Sequence, residues 1–230
     1  MSHDKRLRIA VDGPGSSGKG TVARAVARAL GYAYVDTGAM YRAVALVALR
    51  HGIDWDDADA VAELAGRLAF EFHWDGDVLR ISVDGNDVSR ELRRDAIGTG
   101  ASRVSRHPQV RDALLERQRN LAAQGGVVMD GRDIGTVVLP EAQLKVFLDA
   151  DLEERARRRH EELLRRGEVV RFQTVLEALE ARDRRDAERA VAPLKAADDA
   201  VHLDSTELTI RQAVEAVLSL AEERLAATGD

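Results

Sequence analysis

Cysteine is absent from the 230 residues, and this absence excludes disulfide bonds, thiolate metal sites and a cysteine nucleophile. A chain without disulfides suits a reducing compartment, so a cytoplasmic protein is expected. Aromatic residues make up only 4% of the chain, which predicts a core built mainly from Ala, Val, Leu and Ile. Residues 1–8 carry no apolar core of a signal peptide, no later run approaches the length of a membrane span, and no membrane partner is expected.

Basic residues are outnumbered by acidic ones, 34 to 40. The net charge is -6 at pH 7, whereas a phosphate backbone demands a basic face, so no nucleic-acid partner is expected. Only four of the 34 basic residues are lysines. Arginine suits two-pronged grips on phosphate and carboxylate groups, so the positions of the arginines carry the information.

Several functional motifs are missing as well. The six histidines show no metal-ligand spacing, and neither a Ser-His-Asp order nor a paired-carboxylate hydrolase site stands out. The Asn-Lys-x-Asp motif of guanine-binding switches does not occur, and the chain has no internal repeat or linker. These absences disfavour a hydrolase and a GTPase-type switch, and a monomer is expected.

The most informative stretch that is present runs from residue 13 to residue 21. An alternating, β-branched run at 7–11 precedes it, and Val22, Val26 and Leu30 recur after it at helical spacing. Strand, glycine-rich turn and helix together favour a phosphate-binding loop over a tight turn with an exposed lysine. The expected nucleotide-binding residues are Gly13, Pro14, Gly15, Ser16, Ser17, Gly18, Lys19, Gly20 and Thr21.

One position of this loop departs from the general pattern. Gly20 follows Lys19 where most such loops have Ser or Thr, and the hydroxyl arrives one residue later as Thr21. This variant resembles nucleoside monophosphate kinases more than GTPases or motor ATPases. Lys19 is expected to reach the β- and γ-phosphates of a nucleotide, whereas direct magnesium ligation by the loop hydroxyl stays open.

The pattern along the chain predicts an α/β fold with a doubly wound parallel sheet of the P-loop type. Asp-Gly pairs at 75–76 and 84–85 within residues 68–89 predict an inserted antiparallel sheet of three strands. The five parallel strands are expected at 7–11, 32–35, 127–129, 144–148 and 200–203. Further helices are expected at 39–51, 54–68, 94–124 with a break at Pro108, 152–166, 174–189 and 209–226.

Polar clusters follow each of the first four strands. They are the glycine-rich loop, residues 36–42, residues 130–133 and an arginine-rich segment at 152–166. Ligands of open parallel sheets bind beyond the carboxyl ends of the strands, so these clusters are expected to form the site.

Three segments of the chain resemble the signatures of bacterial cytidylate kinases: Asp-Thr-Gly-Ala-Met-Tyr-Arg at 36–42, Asp-Gly-Arg-Asp-Ile-Gly-Thr at 130–136, and Arg-Ala-Val-Ala-Pro-Leu at 189–194. The inserted lobe is similar to the enlarged monophosphate-binding region of that family. The resemblance implies ATP-dependent phosphorylation of CMP and dCMP, with Mg²⁺. It also implies one kinase domain over 1–230, with a core at 1–36, 127–150 and 190–230, an acceptor region at about 37–126 and a lid at about 151–170.

The resemblance further implies roles for individual residues. Asp133, Ser102 and Arg111 would read the cytosine edge, Asp186 would bind the ribose, and Thr37 would lie near the acceptor. The cations expected around the acceptor phosphate and the transferring group are Arg42, Arg132, Arg182 and Arg189, of which the last three join Lys19 as catalytic residues. Arg182, Asp186 and Arg189 are expected on one face of one helix, although an ordinary ion-paired helix would look similar.

The arginine-rich segment resembles a lid that closes over ATP and excludes water. Arg155, Arg158 and Arg159 share one helical face and are the candidates for ATP binding. Neighbouring glutamates at 153, 154, 161 and 162 offer the alternative that these arginines only form ion pairs. Asp130, at the end of an apolar strand, is the candidate magnesium ligand through water, and Thr21 is the second candidate ligand.

Two other functions remain alternatives to phosphorylation of CMP and dCMP. They are a kinase for another monophosphate or small acid, and a nucleic-acid-dependent ATPase.

Overall fold

The computed structural model describes residues 6–75 and 78–227. The chain divides into two compact units. One unit, called the sheet unit here, comprises Met1–Tyr34 and Gln124–Asp230; the other, the inserted unit, comprises Val35–Ala123.

The strands lie where the sequence predicts them, within two residues. They are β1 (Arg8–Asp12), β2 (Ala33–Asp36), β3 (Phe70–Asp75), β4 (Val78–Val83), β5 (Asn86–Asp87), β6 (Val127–Gly131), β7 (Leu144–Asp149) and β8 (Val201–Asp204). The helices are α1 (Lys19–Leu30), α2 (Thr37–Arg50), α3 (Ala58–Arg67), α4 (Asp95–Val104), α5 (Pro108–Leu121), α6 (Leu152–Arg165), α7 (Phe172–Glu188) and α8 (Ile210–Ala227). A 3₁₀ turn at Glu91–Arg93 and a π-helical turn at Ile134–Val138 complete the elements.

The main sheet has five parallel strands in the order β2-β6-β1-β7-β8, which confirms the predicted fold class. The central strand β1 pairs with β6 on one side and β7 on the other, and its apolar residues are fully buried. Asp12 lies opposite Gly131 of β6 and Phe147 of β7. The carboxyl ends of the three strands therefore reach the same edge of the sheet.

The inserted unit holds the predicted three-stranded antiparallel sheet, in the order β3-β4-β5. The β4–β5 turn has positive φ at Asp84 (50°) and Gly85 (76°), the conformation that Asp-Gly hairpin turns require. The other predicted turn, at the Asp-Gly pair 75–76, extends into residues 76–77, which lie outside the described residues. Helices α2 and α4 pack together in this unit, as do α3 and α5.

Two features of the helices differ from the prediction. The first is the start of α3, which begins at Ala58 because the Asp57 carboxylate caps it, accepting a hydrogen bond from Ala60 N at 3.1 Å. The break predicted at Pro108 is confirmed, since the stretch at 94–124 forms two helices and Pro108 begins the second. In the described part of the chain, none of the helices combines the length and apolarity needed to cross a membrane.

The second difference concerns Arg189. The prediction that Arg189 shares one helix with Arg182 and Asp186 is wrong, because α7 ends at Glu188 and Arg189 is extended. Ala192 has a positive φ of 50°, and Leu194 N donates to the carbonyl of Asp186 at 2.8 Å. The chain therefore turns back over the end of α7 instead of continuing it.

A matched pair of glycines in α4 tests the packing of the inserted unit. A Cβ on Gly100 would lie 2.7 Å from the Trp55 ring, which is held by its N–H bond to Ala45 O at 2.9 Å. A Cβ on Gly98 would meet nothing within 4 Å. We expect Gly100→Ala to lower the free energy of unfolding by about 1–3 kcal/mol through overpacking. Gly98→Ala is expected to raise it by up to about 1 kcal/mol through helix propensity.

Urea denaturation of the two variants and the wild type measures both effects. Equal stabilisation by the two substitutions would contradict the described packing of α4 against Trp55.

Candidate active site

The segment between β1 and α1 has the backbone of an anion-binding loop. Gly13, Ser16 and Gly18 have positive φ values of 152°, 61° and 89°. Alternation of left- and right-handed conformations turns successive N–H groups toward one side and forms a concavity for an anion. Gly13 also has no room for a side chain, since a Cβ there would lie 2.0 Å from the carbonyl oxygen of Leu148. Ser16 is the one non-glycine of the three, and such strain is typical of ligand-binding loops.

Lys19 begins α1 and is only 8% exposed. Its Nζ donates to the carbonyl oxygen of Pro14 at 3.0 Å, so the ammonium group lies across the loop. The first turn of α1 carries no acidic residue, which leaves its positive N-terminal end available to an anion. The hydroxyl of Ser17 is buried and has no hydrogen-bond partner among the described residues. The loop thus fits the phosphates of a nucleotide.

Two of the three predicted lid arginines contact the loop. Arg155 Nη1 donates to the carbonyl of Gly15 and Arg158 Nη1 to that of Ser17, both at 3.3 Å. Arg155 is buried and also pairs with Asp183. The two arginines therefore hold the loop backbone from α6.

The glutamates of this segment form the ion pairs that the sequence offered as the alternative. Glu154 accepts a bond from Arg158 Nε at 3.0 Å, and Glu162 accepts one from Arg159 Nη1 at 2.7 Å. Arg158 makes both kinds of contact, and Arg159 pairs with a glutamate. Loop support and ion pairing thus coexist on α6.

Four of the residues predicted to hold the acceptor form a charge network in the sheet unit. Arg132 Nε lies 3.0 Å from Asp186 Oδ2, and Arg182 Nε lies 4.0 Å from the same oxygen. Burial of Asp186 favours its neutral form, but the charges of Arg132, Arg182 and Arg189 outweigh burial and hold the pKa of the carboxyl below its ordinary value. The carboxylate is therefore ionised at neutral pH.

This network lies beside the phosphate loop. A Cβ on Gly15 would lie 3.9 Å from Arg132 Nη2 and 3.9 Å from Arg182 Cδ. Arg189 Nη2 lies 3.7 Å from Asp133 Oδ1, and both side chains are buried. The fold thus gathers these predicted residues at one edge of the sheet although they come from three distant segments of the sequence.

The other predicted acceptor residues belong to the inserted unit. Asp36 caps α2 by accepting from Ala39 N at 2.8 Å, and its second oxygen pairs with Arg42 Nη2 at 2.7 Å. Thr37 is buried at the first position of the same helix. The Asp-Thr-Gly segment therefore begins a helix and orients Arg42 through its aspartate.

Arg111 and Ser102 lie elsewhere in the inserted unit, on α5 and α4. The Arg111 guanidinium is buried, 5.4 Å from the centre of the Tyr41 ring, and donates to the carbonyl of Ser105 at 3.4 Å. Ser102 is partly exposed. Both residues are held on helices, which suits polar groups that must keep a fixed direction toward a ligand.

Asp130, the candidate magnesium ligand, is buried at the end of β6 and accepts a hydrogen bond from the Tyr34 hydroxyl at 2.8 Å. A Cβ on Gly20 would lie 3.4 Å from that hydroxyl and 3.5 Å from Asp130 Oδ2. The glycine after Lys19 thus lies against this hydroxyl–carboxylate pair, with little room for a larger side chain. Thr21 is exposed on α1. Asp130 fits a Mg²⁺ ion that keeps its waters, and the described residues contain no cluster of three or more acidic or histidine ligands.

Asp12, which was not predicted as a site residue, occupies the end of β1. It is 4% exposed, and its two oxygens accept from Ile134 N and Gly135 N, each at 2.8 Å. Burial raises the pKa of this carboxyl to about 6, against the opposing effect of the two N–H bonds. An acidic residue at the end of an apolar strand is the signal that marked Asp130, and the same signal marks Asp12.

The fold and the site together define a P-loop phosphotransferase. The shikimate kinase of Bacteroides thetaiotaomicron has the same fold, with a TM-score of 0.50 and 13% identity over 95% of this chain and 99% of that one. Within this class, the sequence profile of cytidylate kinase matches residues 9–223, and the chain belongs to the cytidylate kinase family.

Curated relatives agree with this assignment. The cytidylate kinase of Vibrio cholerae is 49% identical over 217 residues, which cover 94% of this chain and 96% of the relative. The cytidylate kinase of Bacillus subtilis is 44% identical over 221 residues, which cover 96% of this chain and 99% of the relative. The resemblance read from the three sequence signatures is confirmed.

The raised pKa of Asp12 predicts how stability depends on pH. A carboxyl with a higher pKa in the folded than in the unfolded state binds more protons when folded, so its contribution to stability falls as pH rises. From the ordinary value of 3.8 and the folded value of about 6, wild type should gain about 1.4 kcal/mol relative to Asp12→Asn between pH 7.5 and pH 5. Urea denaturation of both proteins at the two pH values measures the gain. A difference that stays constant or shrinks toward pH 5 would contradict the described burial.

Proposed function

We propose that the protein transfers the γ-phosphoryl group of ATP to CMP and dCMP, reversibly, and so forms CDP and dCDP. The observation that carries this proposal is the position of Arg132 and Arg182 beside Gly15 of the phosphate loop, in a chain of the cytidylate kinase family. A donor triphosphate in the loop would have its terminal phosphate beside a second set of cations. An acceptor phosphate held by those cations would then face the donor.

On the donor side, residues 13–21 bind the triphosphate through their backbone N–H groups, and Lys19 stabilises the charge of its outer phosphates. Arg155 and Arg158 keep the loop in this shape by holding its carbonyls, and Arg159 extends the cationic face of α6. Asp130 through water, with Thr21, would hold Mg²⁺, which neutralises charge on the donor phosphates when it is bound.

On the acceptor side, transfer requires positioning and cations rather than a strong base, because the attacking phosphate oxygen is already ionised. Arg132, Arg182 and Arg189 bind the acceptor phosphate and the group in transfer. Asp186 keeps the first two arginines in place and accepts hydrogen bonds from the ribose hydroxyls. Arg42 and Thr37 contribute from the inserted unit.

Base selection rests on Asp133, with Ser102 and Arg111 from the inserted unit. The Asp133 carboxylate accepts a hydrogen bond from the exocyclic amino group of cytosine, and the other two side chains donate to the ring acceptors. Uracil presents an oxygen where cytosine has its amino group. That oxygen would leave the buried carboxylate facing another acceptor, which disfavours UMP strongly.

A panel of acceptors with ATP and Mg²⁺ tests the proposed function. We expect CMP and dCMP to be phosphorylated with kcat/KM values at least about 100-fold above those of UMP and AMP, since a site built for one polar edge rejects its mismatch. Lys19→Ala should remove most of the transfer, while Lys195→Ala, at an exposed lysine paired with Asp198, should leave it unchanged. AMP or UMP preferred over CMP would reject the assignment.

Asp133→Ala is expected to damage selectivity more than turnover. Loss of the carboxylate removes both the bond to the cytosine amino group and the repulsion of uracil. The ratio of kcat/KM for CMP over UMP should therefore fall by at least about tenfold, equivalent to about 1.4 kcal/mol. Steady-state kinetics with both acceptors measures the ratio. A variant that keeps the wild-type preference for CMP would rule out this role.

A further inference from the structure

Asp12 connects two parts of the site that the sequence separates by more than 100 residues. It is followed directly by Gly13, the first residue of the phosphate loop. Its carboxylate accepts hydrogen bonds from the N–H groups of Ile134 and Gly135, each at 2.8 Å. Those two N–H groups begin the π-helical turn Ile134–Val138, and the residue that precedes the turn is Asp133.

The first N–H groups of a helical turn have no partner within the turn and need an acceptor from elsewhere. The side chain of Asp133 does not cap this turn, although it stands at the capping position. Asp12 supplies the acceptors instead, from the neighbouring strand. The Asp133 carboxylate therefore does not cap the turn, and it lies near the guanidinium group of Arg189 instead.

We propose that Asp12 is a positioning residue, which fixes the base-reading carboxylate of Asp133 relative to the phosphate loop by holding the Ile134 and Gly135 amides. This inference rests on the proposed function, in which Asp133 reads the acceptor base.

The surroundings of Asp12 leave little freedom for another arrangement. A Cβ on Gly135 would lie 3.4 Å from Asp12 Oδ2 and 3.2 Å from Cδ of Lys145, a buried lysine whose ammonium group pairs with Asp199 at 2.8 Å. The charged groups that act on Asp12 are Asp133, which precedes the turn, and Lys19, from α1. The turn is therefore packed between the carboxylate of Asp12, on β1, and the side chain of Lys145, on β7.

Only a carboxylate can satisfy both amides in this place. A carboxamide has one oxygen that accepts and one NH₂ group that donates. Asp12→Asn would therefore leave one of the two buried N–H groups without an acceptor, at a cost equivalent to about a tenfold change or more. The turn and Asp133 would lose their fixed position, whereas Gly13 would stay in place through the pairing of β1 with β6 and β7.

Steady-state kinetics of Asp12→Asn tests the consequence for the reaction. We expect the KM for CMP to rise about tenfold and the preference for CMP over UMP to fall by a similar factor, while the KM for ATP stays within about twofold. Asp57→Asn is the matched control, because Asp57 also accepts from a backbone N–H at a helix start, in α3. That control should keep all three values. Unchanged CMP parameters in Asp12→Asn would overturn the proposal.

Amide hydrogen exchange provides a readout that does not depend on activity. We expect faster exchange at Ile134 and Gly135 in Asp12→Asn than in wild type, and no change there in Asp57→Asn. If wild type failed to phosphorylate CMP, the proposed function would fall, and exchange would still decide whether Asp12 holds the turn. Equal exchange in Asp12→Asn and wild type would overturn the positioning role.

If Asp12→Asn does not fold, a measurement on the wild-type protein alone tests whether Asp12 holds the turn. The amide ¹H shifts of Ile134 and Gly135 should follow the protonation of the carboxyl that accepts their bonds, with one shared midpoint near pH 6. Amide shifts of Ile134 and Gly135 that follow no common midpoint would overturn the proposal.

Discussion

The parallel register of β6, β1 and β7 is the constraint on which the site depends. Because Asp12 lies opposite Gly131, β1 and β6 end at one level of the sheet, and β7 ends two residues beyond Phe147, which also lies opposite Asp12. The phosphate loop follows β1, and Arg132 and Asp133 follow β6. A shift of β6 along β1 would move Arg132 away from Gly15.

The charges at this edge are arranged in compensating pairs. Moving an isolated charge out of water is costly, and each arginine of the sheet unit that contacts the loop or the network lies beside a carboxylate. Asp186 lies near both Arg132 and Arg182, Asp133 near Arg189, and Asp183 near Arg155. In the proposed function, these pairs hold in place the cations that would bind the donor and acceptor phosphates. Preorganised charge of this kind is what phosphoryl transfer requires, since repulsion between donor and acceptor is its main obstacle.

Much of the fold followed from local patterns. The parallel strands are continuous apolar runs such as Val127-Val128-Met129. The spacing of the glycines and Lys19 in the loop at 13–21 is typical of phosphate-binding loops. The start of α3 at Ala58 was also within reach of local chemistry, because Asp57 is a residue type that caps helices.

Other features depend on contacts between distant segments, and local patterns do not encode them. The Asp12 carboxylate bonds to amides 122 and 123 positions later in the chain. Arg182 and Arg189 have helical spacing in the sequence, but Arg189 is not part of α7. Ala192 adopts a positive φ, and the segment after it folds back so that Leu194 bonds to Asp186. The contacts of Arg155 and Arg158 with loop carbonyls could not be distinguished by sequence from simple pairing with glutamates.

A crystal structure of the protein with CMP and an unreactive ATP analogue tests the central claim most directly, which is that one edge of the sheet holds two nucleotides with their phosphates facing each other. The account predicts the triphosphate in the loop at 13–21, the CMP phosphate within hydrogen-bonding distance of Arg132, and the cytosine amino group on Asp133. CMP bound away from Arg132, or with its base on other residues, would contradict it.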